Sequence, residues 1–527
     1  MTIFLPWLLT LILGHLSQYL LPRDIRTLKR YYFLICIQSI LLSSIFFLLL
    51  SLTLRPWLAL LLNITILAVL LIINQAKYKA LREPLAFSDW YLYIQVISHP
   101  RLFLPFLNPM LIVGALVLGI FILITILWFE SRLATDHLPT LIFSLILHFI
   151  LLNFLSKKVQ LSFNLIEDVK SLGFFNSLVI YALQAILKQN TNKLRLTIKN
   201  NPYSTKPIGL GKINTDIIII QSESFFDARR LNIPINSNLY CNFDQIKAAS
   251  LLTGKLHVPA WGANTLRSEF AFLSGISNKL LNHYRFNPYQ YLQNTSISSL
   301  VSFLKQSGYR CIALHPNHAS FFKRDKVFPQ LGFDEFIDIR DFDSNKTLGP
   351  YISDQAIYEK ITEILAHRLD ARPLFIFAIT MENHGPLHLE KLAEQDIQSL
   401  YVGKPPKQHH DLSVYLKHIA NADKMLLDLT NYLKHSKQET VLCWYGDHVP
   451  SMPEVYKELD FNDGRTDYLV WHNKAQALLC REQDMLIEDL GCSILEIAGF
   501  KDFELVSNTQ PKKNSDAGVE IISYHKD

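Results

Sequence analysis

Asp216-Ile217-Ile218-Ile219-Ile220-Gln221-Ser222-Glu223-Ser224 is the stretch on which the fold reading turns. Four consecutive isoleucines are β-branched and apolar without alternation, as a strand buried on both faces requires. Gln-Ser-Glu-Ser follows at once, so the Glu223 carboxylate stands just past the strand's carboxyl end. The pattern recurs downstream. Leu374-Phe-Ile-Phe-Ala-Ile379 leads into Asn383-His384-Gly385-Pro386, and Thr440-Val-Leu-Cys-Trp444 into Tyr445-Gly446-Asp447-His448. Tyr309-Arg-Cys-Ile-Ala-Leu314 leads into His315, and Tyr468-Leu-Val-Trp471 is a further strand. Helical patterns fall between, at 297–307, 354–367 and 411–434. Such alternation implies a mostly parallel sheet with helices on both sides. Ligands bind such sheets beyond the carboxyl ends of the strands, so these polar residues are expected to share one site.

Upstream the chain changes character. Of 527 residues, half are hydrophobic and 18% charged, but the apolar residues crowd into the first third. Residues 1–155 resolve into about five spans of membrane-crossing length, near 2–21, 31–54, 56–75, 104–128 and 138–155. The first lacks a basic leader and a small-residue cleavage site, so it reads as a retained helix. The aromatic-rich segment from Arg82 to Arg101 suits a membrane interface. An amphipathic helix is expected around 167–188, followed by a basic linker to 212. Four parts follow: a transmembrane domain 1–155, a juxtamembrane helix and linker 156–212, a catalytic domain 213–510 and a partly mobile polar tail 511–527. The net charge of +5 forms no stripe of the kind nucleic acid demands. The six cysteines give no clear disulfide framework.

The loops argue about orientation. Arg23, Arg26, Lys29 and Arg30 stand in the first loop, and Lys77, Lys79 and Arg82 follow the third span. Excess Lys and Arg marks cytoplasmic loops. With five spans, that rule would place the C-terminal domain in the cytoplasm too.

The motif residues carry a definite chemistry. Asp447 and His448, adjacent after a strand, can turn toward one cation, and Glu223 adds a second carboxylate. In Gly262-Ala-Asn-Thr-Leu-Arg-Ser-Glu-Phe270, Thr265 would be a fourth ligand and the nucleophile. A free threonine hydroxyl is nearly inert at neutral pH, and metal coordination activates it. A helix beginning near Leu266 would aim its N-terminus at an incoming phosphate. Bland readings stand beside these. Asp-His after a strand can be structural, Thr265 can be a helix cap, and Arg324 with Asp325 a surface ion pair. His257 is a candidate for support of Thr265.

Glu223-Ser-Phe-Phe-Asp, Asn264-Thr-Leu-Arg-Ser-Glu-Phe-Ala-Phe-Leu-Ser-Gly and Tyr445-Gly-Asp-His together resemble the sulfatase-like phosphoglycerol transferases, of the lipoteichoic acid synthase and glucan phosphoglycerol transferase type. That family lies in the alkaline phosphatase superfamily. The resemblance implies an α/β sulfatase-like catalytic domain behind about five membrane helices. It implies a metal held by Glu223, Thr265, Asp447 and His448, with Thr265 the nucleophile. It implies substrate binding by His384, His315 and Arg324. At Asn317 the family has an aspartate and at Phe322 a tryptophan, which leaves the headgroup pocket in question. It also implies Mn²⁺, with Mg²⁺ and Zn²⁺ as alternatives. The donor would be a membrane phospholipid, phosphatidylglycerol. The acceptor would be a glycan or a polyglycerol phosphate. The enzyme would sit in the cytoplasmic membrane with residues 156–527 outside, against the loop charges. A sulfatase proper needs a Cys or Ser in a Cys-x-Pro-x-Arg-like motif, and none is present. The competing readings are a phosphoethanolamine transferase on the same fold and a membrane protein that binds without catalysis.

Overall fold

The computed structural model describes residues 2–26, 32–93, 109–187, 196, 198–205, 213–293, 295–475 and 480–500. Lys29, Arg30, most of the 188–212 linker and the tail from Lys501 lie outside them.

Helices α1 (Phe4–Leu16), α2 (Tyr32–Thr53) and α3 (Pro56–Leu81) open the chain, and Pro109–Phe129 and Leu138–Ser156 follow. Among the described residues, three helices are long and apolar enough to cross a membrane: α2, α3 and the helix over Thr135–Ser156. Phe4–Leu20 and Val113–Phe129 are shorter, so the five expected spans appear as three full ones and two short ones. The bundle is tied by polar groups facing one another across helices, as lipid-embedded packing favours. Trp7 Nε1 donates to Ser43 Oγ at 2.9 Å, and Asn63 Nδ2 to the Leu42 carbonyl at 3.2 Å.

The single amphipathic helix expected over 167–188 is two helices, Leu165–Leu172 and Phe174–Leu187, bent by 116°. Gly173 lies between them at φ +89°, a conformation open to glycine and costly for other residues. The break turns a span-length pattern into an elbow. Counted as one span, this bent pair would raise the number of crossings to four.

The catalytic part is a nine-stranded sheet. Its strands are β1 (Asp216–Ser222), β2 (Leu252–His257), β3 (Arg310–Leu314), β4 (Glu335–Ile337), β7 (Leu374–Ile379), β8 (Thr440–Gly446), β9 (Thr466–His472), β10 (Arg481–Glu482) and β11 (Met485–Leu486). A separate ribbon pairs β5 (Thr347–Leu348) with β6 (Tyr351–Ile352). The order is β10-β2-β9-β8-β1-β7-β3-β4, with β11 also on β2. Within the nine-stranded sheet the pairs are parallel except those of β9 with β2 and β8. The isoleucine run of β1 lies at the centre, between β7 and β8. Ile217 and Ile219 pack into one apolar layer with the helix Thr265–Ser274, and Ile218 and Ile220 into the other with the helix His410–His435. Two-sided burial is why the run does not alternate. Strand β2 escapes pattern reading, because Gly254 and Lys255 interrupt its apolar residues.

Candidate active site

Four neighbouring strands, β3, β7, β1 and β8, end side by side, and their carboxyl ends carry His315, the Asn383-His384 loop, Glu223 and Asp447-His448. Parallel order makes this convergence, since each chain leaves the sheet in the same direction. Glu223, Asp447 and His448 are all buried, and each offers a ligand atom within 4.8 Å of the others.

Local bonding fixes the donors. His448 Nδ1 lies 3.0 Å from the Val449 carbonyl. A carbonyl only accepts, so Nδ1 carries the proton and Nε2 presents a lone pair. Around that Nε2 stand Glu223 Oε1 at 3.5 Å, Asp447 Oδ2 at 3.3 Å and Thr265 Oγ1 at 3.4 Å. Ser224 sits at φ +56°, an unusual backbone for a serine. There its N–H donates to Asp447 Oδ1 at 2.9 Å and its hydroxyl to Glu223 Oε1 at 2.8 Å. Asp447 Oδ2 has no hydrogen-bond donor among the described residues. Burial first, and then the Asp447 charge, push the Glu223 carboxyl well above the ordinary carboxylate range. Two carboxylates and an imidazole lone pair facing one another in a dry pocket repel, and a divalent cation among them would reverse that. The mixed oxygen and nitrogen donor set therefore fits a metal.

Thr265 is the first residue of the helix Thr265–Ser274 and is buried. It is not the cap: Asn264 holds that position at φ +70°, with no side-chain capping bond. The hydroxyl is thus free of the capping role and faces His448. The backbone at a helix start also favours an anion.

Arg324 is no surface ion pair. It is fully buried against Glu269, with Nε at 3.1 Å from Oε1 and Nη2 at 2.8 Å from Oε2. Tyr289 also donates to Glu269. Nη1 has no hydrogen-bond partner among the described residues. The Arg324 charge acts on Glu223, His315 and His384. His315 Nδ1 lies 3.3 Å from the Ile379 carbonyl, and burial, then Arg324, hold its pKa well below the usual value. His384 Nδ1 lies 2.6 Å from the Gly385 carbonyl, and burial lowers its pKa too.

The remaining candidates sit apart. Asn317 Oδ1 accepts from its neighbour's His318 N–H at 2.8 Å, a local turn bond. Phe322, at φ +56°, stacks 4.2 Å from Phe321, with the Arg324 guanidinium 5.1 Å from its ring. His257 is exposed at the end of β2, outside this buried cluster. The sequence assigns no role to Glu269 or Ser224, although both lie inside its motifs. Asn383, expected at the shared site with His384, is buried there, and neither of its polar side-chain atoms has a partner among the described residues.

Residues 215–500 match the sulfatase family. The chain belongs to that family. Among sulfatase-family relatives, it is 29% identical over 273 residues to a putative cyclic β-1,2-glucan modification protein of Rhizobium meliloti, covering 52% of this chain and 41% of that one. It is 25% identical over 191 residues to lipoteichoic acid synthase of Staphylococcus saprophyticus, covering 35% and 27%. The chain thus spans less than half the length of either relative. Its fold is similar to the integral membrane lipooligosaccharide phosphoethanolamine transferase A of Neisseria meningitidis, with a TM-score of 0.54 at 12% identity over 93% of this chain and 95% of that one. That likeness takes in the helical bundle as well as the sheet.

Proposed function

We propose that the chain is a membrane-bound phosphoglycerol transferase that moves glycerol phosphate from phosphatidylglycerol to a glycan or polyglycerol-phosphate hydroxyl. The observation that carries this reading is Thr265 Oγ1, buried at a helix start and 3.4 Å from His448 Nε2 in the carboxylate cluster. Glu223, Asp447 and His448 would hold one divalent ion, Mn²⁺ by family resemblance, with Thr265 as its fourth ligand. Such an ion supplies a lowered hydroxyl pKa and neutralises charge on phosphate oxygens.

The chain's own residues do the rest. Thr265 Oγ forms a bond to phosphorus and gives up its hydroxyl proton while the bond to the diacylglycerol oxygen breaks, and that proton leaves on the diacylglycerol oxygen. The acceptor hydroxyl then attacks the threonine phosphoester, and its proton passes to Thr265 Oγ as the phosphorus–Oγ bond breaks. Arg324 Nη1 donates to an equatorial oxygen, held in place by Glu269. His384 has a donor role by resemblance. Its Nδ1–H points to the Gly385 carbonyl, so the neutral ring has a bare Nε2. That nitrogen suits it to take the proton of the incoming hydroxyl, since burial opposes the cationic ring that donation needs. By resemblance His315, Asn317 and Phe322 would face the headgroup; of these, Phe322 lies against the Arg324 guanidinium.

The likeness to an integral membrane protein supports a membrane-bound enzyme, and the family resemblance is what puts its catalytic domain outside the cytoplasmic membrane. The charges of the second loop do not oppose this. Lys77 pairs with Asp89 at 2.6 Å and Lys79 with Glu454 at 2.7 Å, so they serve protein contacts. The full-length likeness to a phosphoethanolamine transferase favours that activity as the second reading.

Intact mass of the full chain after incubation with Mn²⁺ and phosphatidylglycerol tests the proposal. A phosphoglycerol adduct on the wild type and none on Thr265→Ala is expected. An adduct only with phosphatidylethanolamine would move the second reading to the front. No adduct and no released diacylglycerol with either lipid would leave a binding protein.

A further inference from the structure

The end of membrane helix α3 touches both flanks of the catalytic constellation. The Arg82 guanidinium lies 4.1 Å over the Trp261 ring and 5.6 Å from the Tyr456 ring. Its Nη1 donates to Asn462 Oδ1 at 2.6 Å and its Nη2 to the Phe461 carbonyl at 2.9 Å. Trp261 stands four residues before Thr265. Gly262, next in line, has φ +70°, and a Cβ there would sit 2.7 Å from the Ala80 carbonyl oxygen. That same carbonyl accepts from Ser451 Oγ at 2.9 Å, and Ser451 stands three residues after His448. Past the nucleophile, Arg267 Nη1 pairs with Glu83 at 2.8 Å, and Lys77 reaches Glu83 at 3.8 Å. The two flanks are also bonded to each other, since Gly262 N–H donates to the Val449 carbonyl at 2.9 Å.

We infer that Ala80, Arg82 and Glu83 are positioning residues, through which the membrane domain holds Thr265 and His448 in register. The inference rests on the transferase reading for its catalytic consequence. Its physical basis is independent of that reading. The loop 258–264 carries a glycine and an asparagine at positive φ, and little regular structure of its own. An arginine plane stacked on Trp261 and hydrogen-bonded in two directions fixes that loop in a way a point charge does not. The Arg267–Glu83 pair is largely buried and less screened than a surface pair such as Lys79–Glu454. A membrane anchor would need only a tether. Contacts on either side of Thr265 and just past His448 go beyond tethering.

The test uses the full chain in micelles containing phosphatidylglycerol and Mn²⁺, with Arg82→Ala, Trp261→Ala and Trp261→Phe. Hydrogen exchange of 258–267 and 446–451 should rise in the two alanine variants while the rest of the sheet keeps its protection. Turnover should fall roughly ten-fold or more in kcat with KM within about two-fold, and Trp261→Phe, which keeps an aromatic face, should restore most of it. Unchanged exchange in both segments would overturn the brace. Raised exchange with unchanged kcat would overturn its catalytic role. If the wild type turns over no lipid, the transferase reading fails by itself, and the exchange map alone decides the brace.

Discussion

Arg324 and Glu269 form a two-pronged ion pair wholly inside the protein, and Glu269 stands one helical turn after Thr265 on the same helix. The pair therefore ties the helix that Arg324 begins to the helix that Thr265 begins. Removing one member leaves a buried charge uncompensated, which costs about 3–5 kcal/mol. Glu269→Ala should lower the unfolding free energy by that amount, read by chemical denaturation followed through tryptophan fluorescence. Arg324→Lys keeps the charge and loses the fork, so its larger effect should fall on kcat/KM.

The carboxylate cluster makes a prediction about cations. Without an ion, Glu223 and Asp447 oppose each other inside the protein, and Asp447 Oδ2 has no hydrogen-bond donor among the described residues. Asp447→Asn removes that repulsion, so the chelated variant should melt at or above the chelated wild type. Mn²⁺ at a hundred times its dissociation constant should stabilise the wild type by about 2.7 kcal/mol and leave Asp447→Asn nearly unmoved. Thermal melts with a chelator and with Mn²⁺ decide it. Equal shifts in both proteins would place the binding site elsewhere.

What the sequence disclosed follows from what each signal depends on. The isoleucines of β1 and the apolar runs of β3, β7 and β8 are local, and their order alone implies a parallel sheet whose ends collect Glu223, Asp447 and His448. Strand β2 was hidden because it borders β9 antiparallel and carries Gly254 and Lys255. The elbow at Gly173 was hidden because a helical apolar pattern continues across it. The surface-pair alternative for Arg324 stood beside the phosphate-clamp reading because its partner, Glu269, is 55 positions away. Lys77 and Lys79 looked like a loop's topology signal, but they lie at the end of α3 and pair with Asp89, Glu83 and Glu454. Pairing between distant segments is the information a linear pattern lacks.

His315 sets a pH dependence. Burial first, and Arg324 second, hold its imidazole well below 6.5, with the Ile379 carbonyl and His384 as its other neighbours. The folded ring thus stays neutral where the unfolded chain takes up a proton. Below pH 6.5 the unfolded state binds more protons, so stability falls as the pH drops, until the folded ring protonates as well. His315→Gln should flatten this slope. Melting temperatures of both proteins from about pH 5 to 8 give the test, and a parallel pair of curves would assign the acid sensitivity to other groups.

Gly446, in the Tyr-Gly-Asp-His motif, answers to space. A Cβ on it would lie 1.8 Å from the Phe225 carbonyl oxygen and 2.8 Å from its carbon. Both obstacles are backbone, so no side-chain rotation can relieve them. Gly446→Ala must drive β8 from the chain just past β1, where Ser224 orients Glu223 and Asp447. Overpacking of this kind costs about 1–3 kcal/mol, and rigid backbone on both sides favours the upper end. Gly114→Ala is the matched control, because nothing lies within 4 Å of the added carbon. The expected outcome is a lower melting temperature and a lost Mn²⁺ shift for Gly446→Ala, with Gly114→Ala unchanged. A Gly446→Ala protein that keeps its full Mn²⁺ shift would mean that the β1 and β8 ends can separate without disturbing the three ligands.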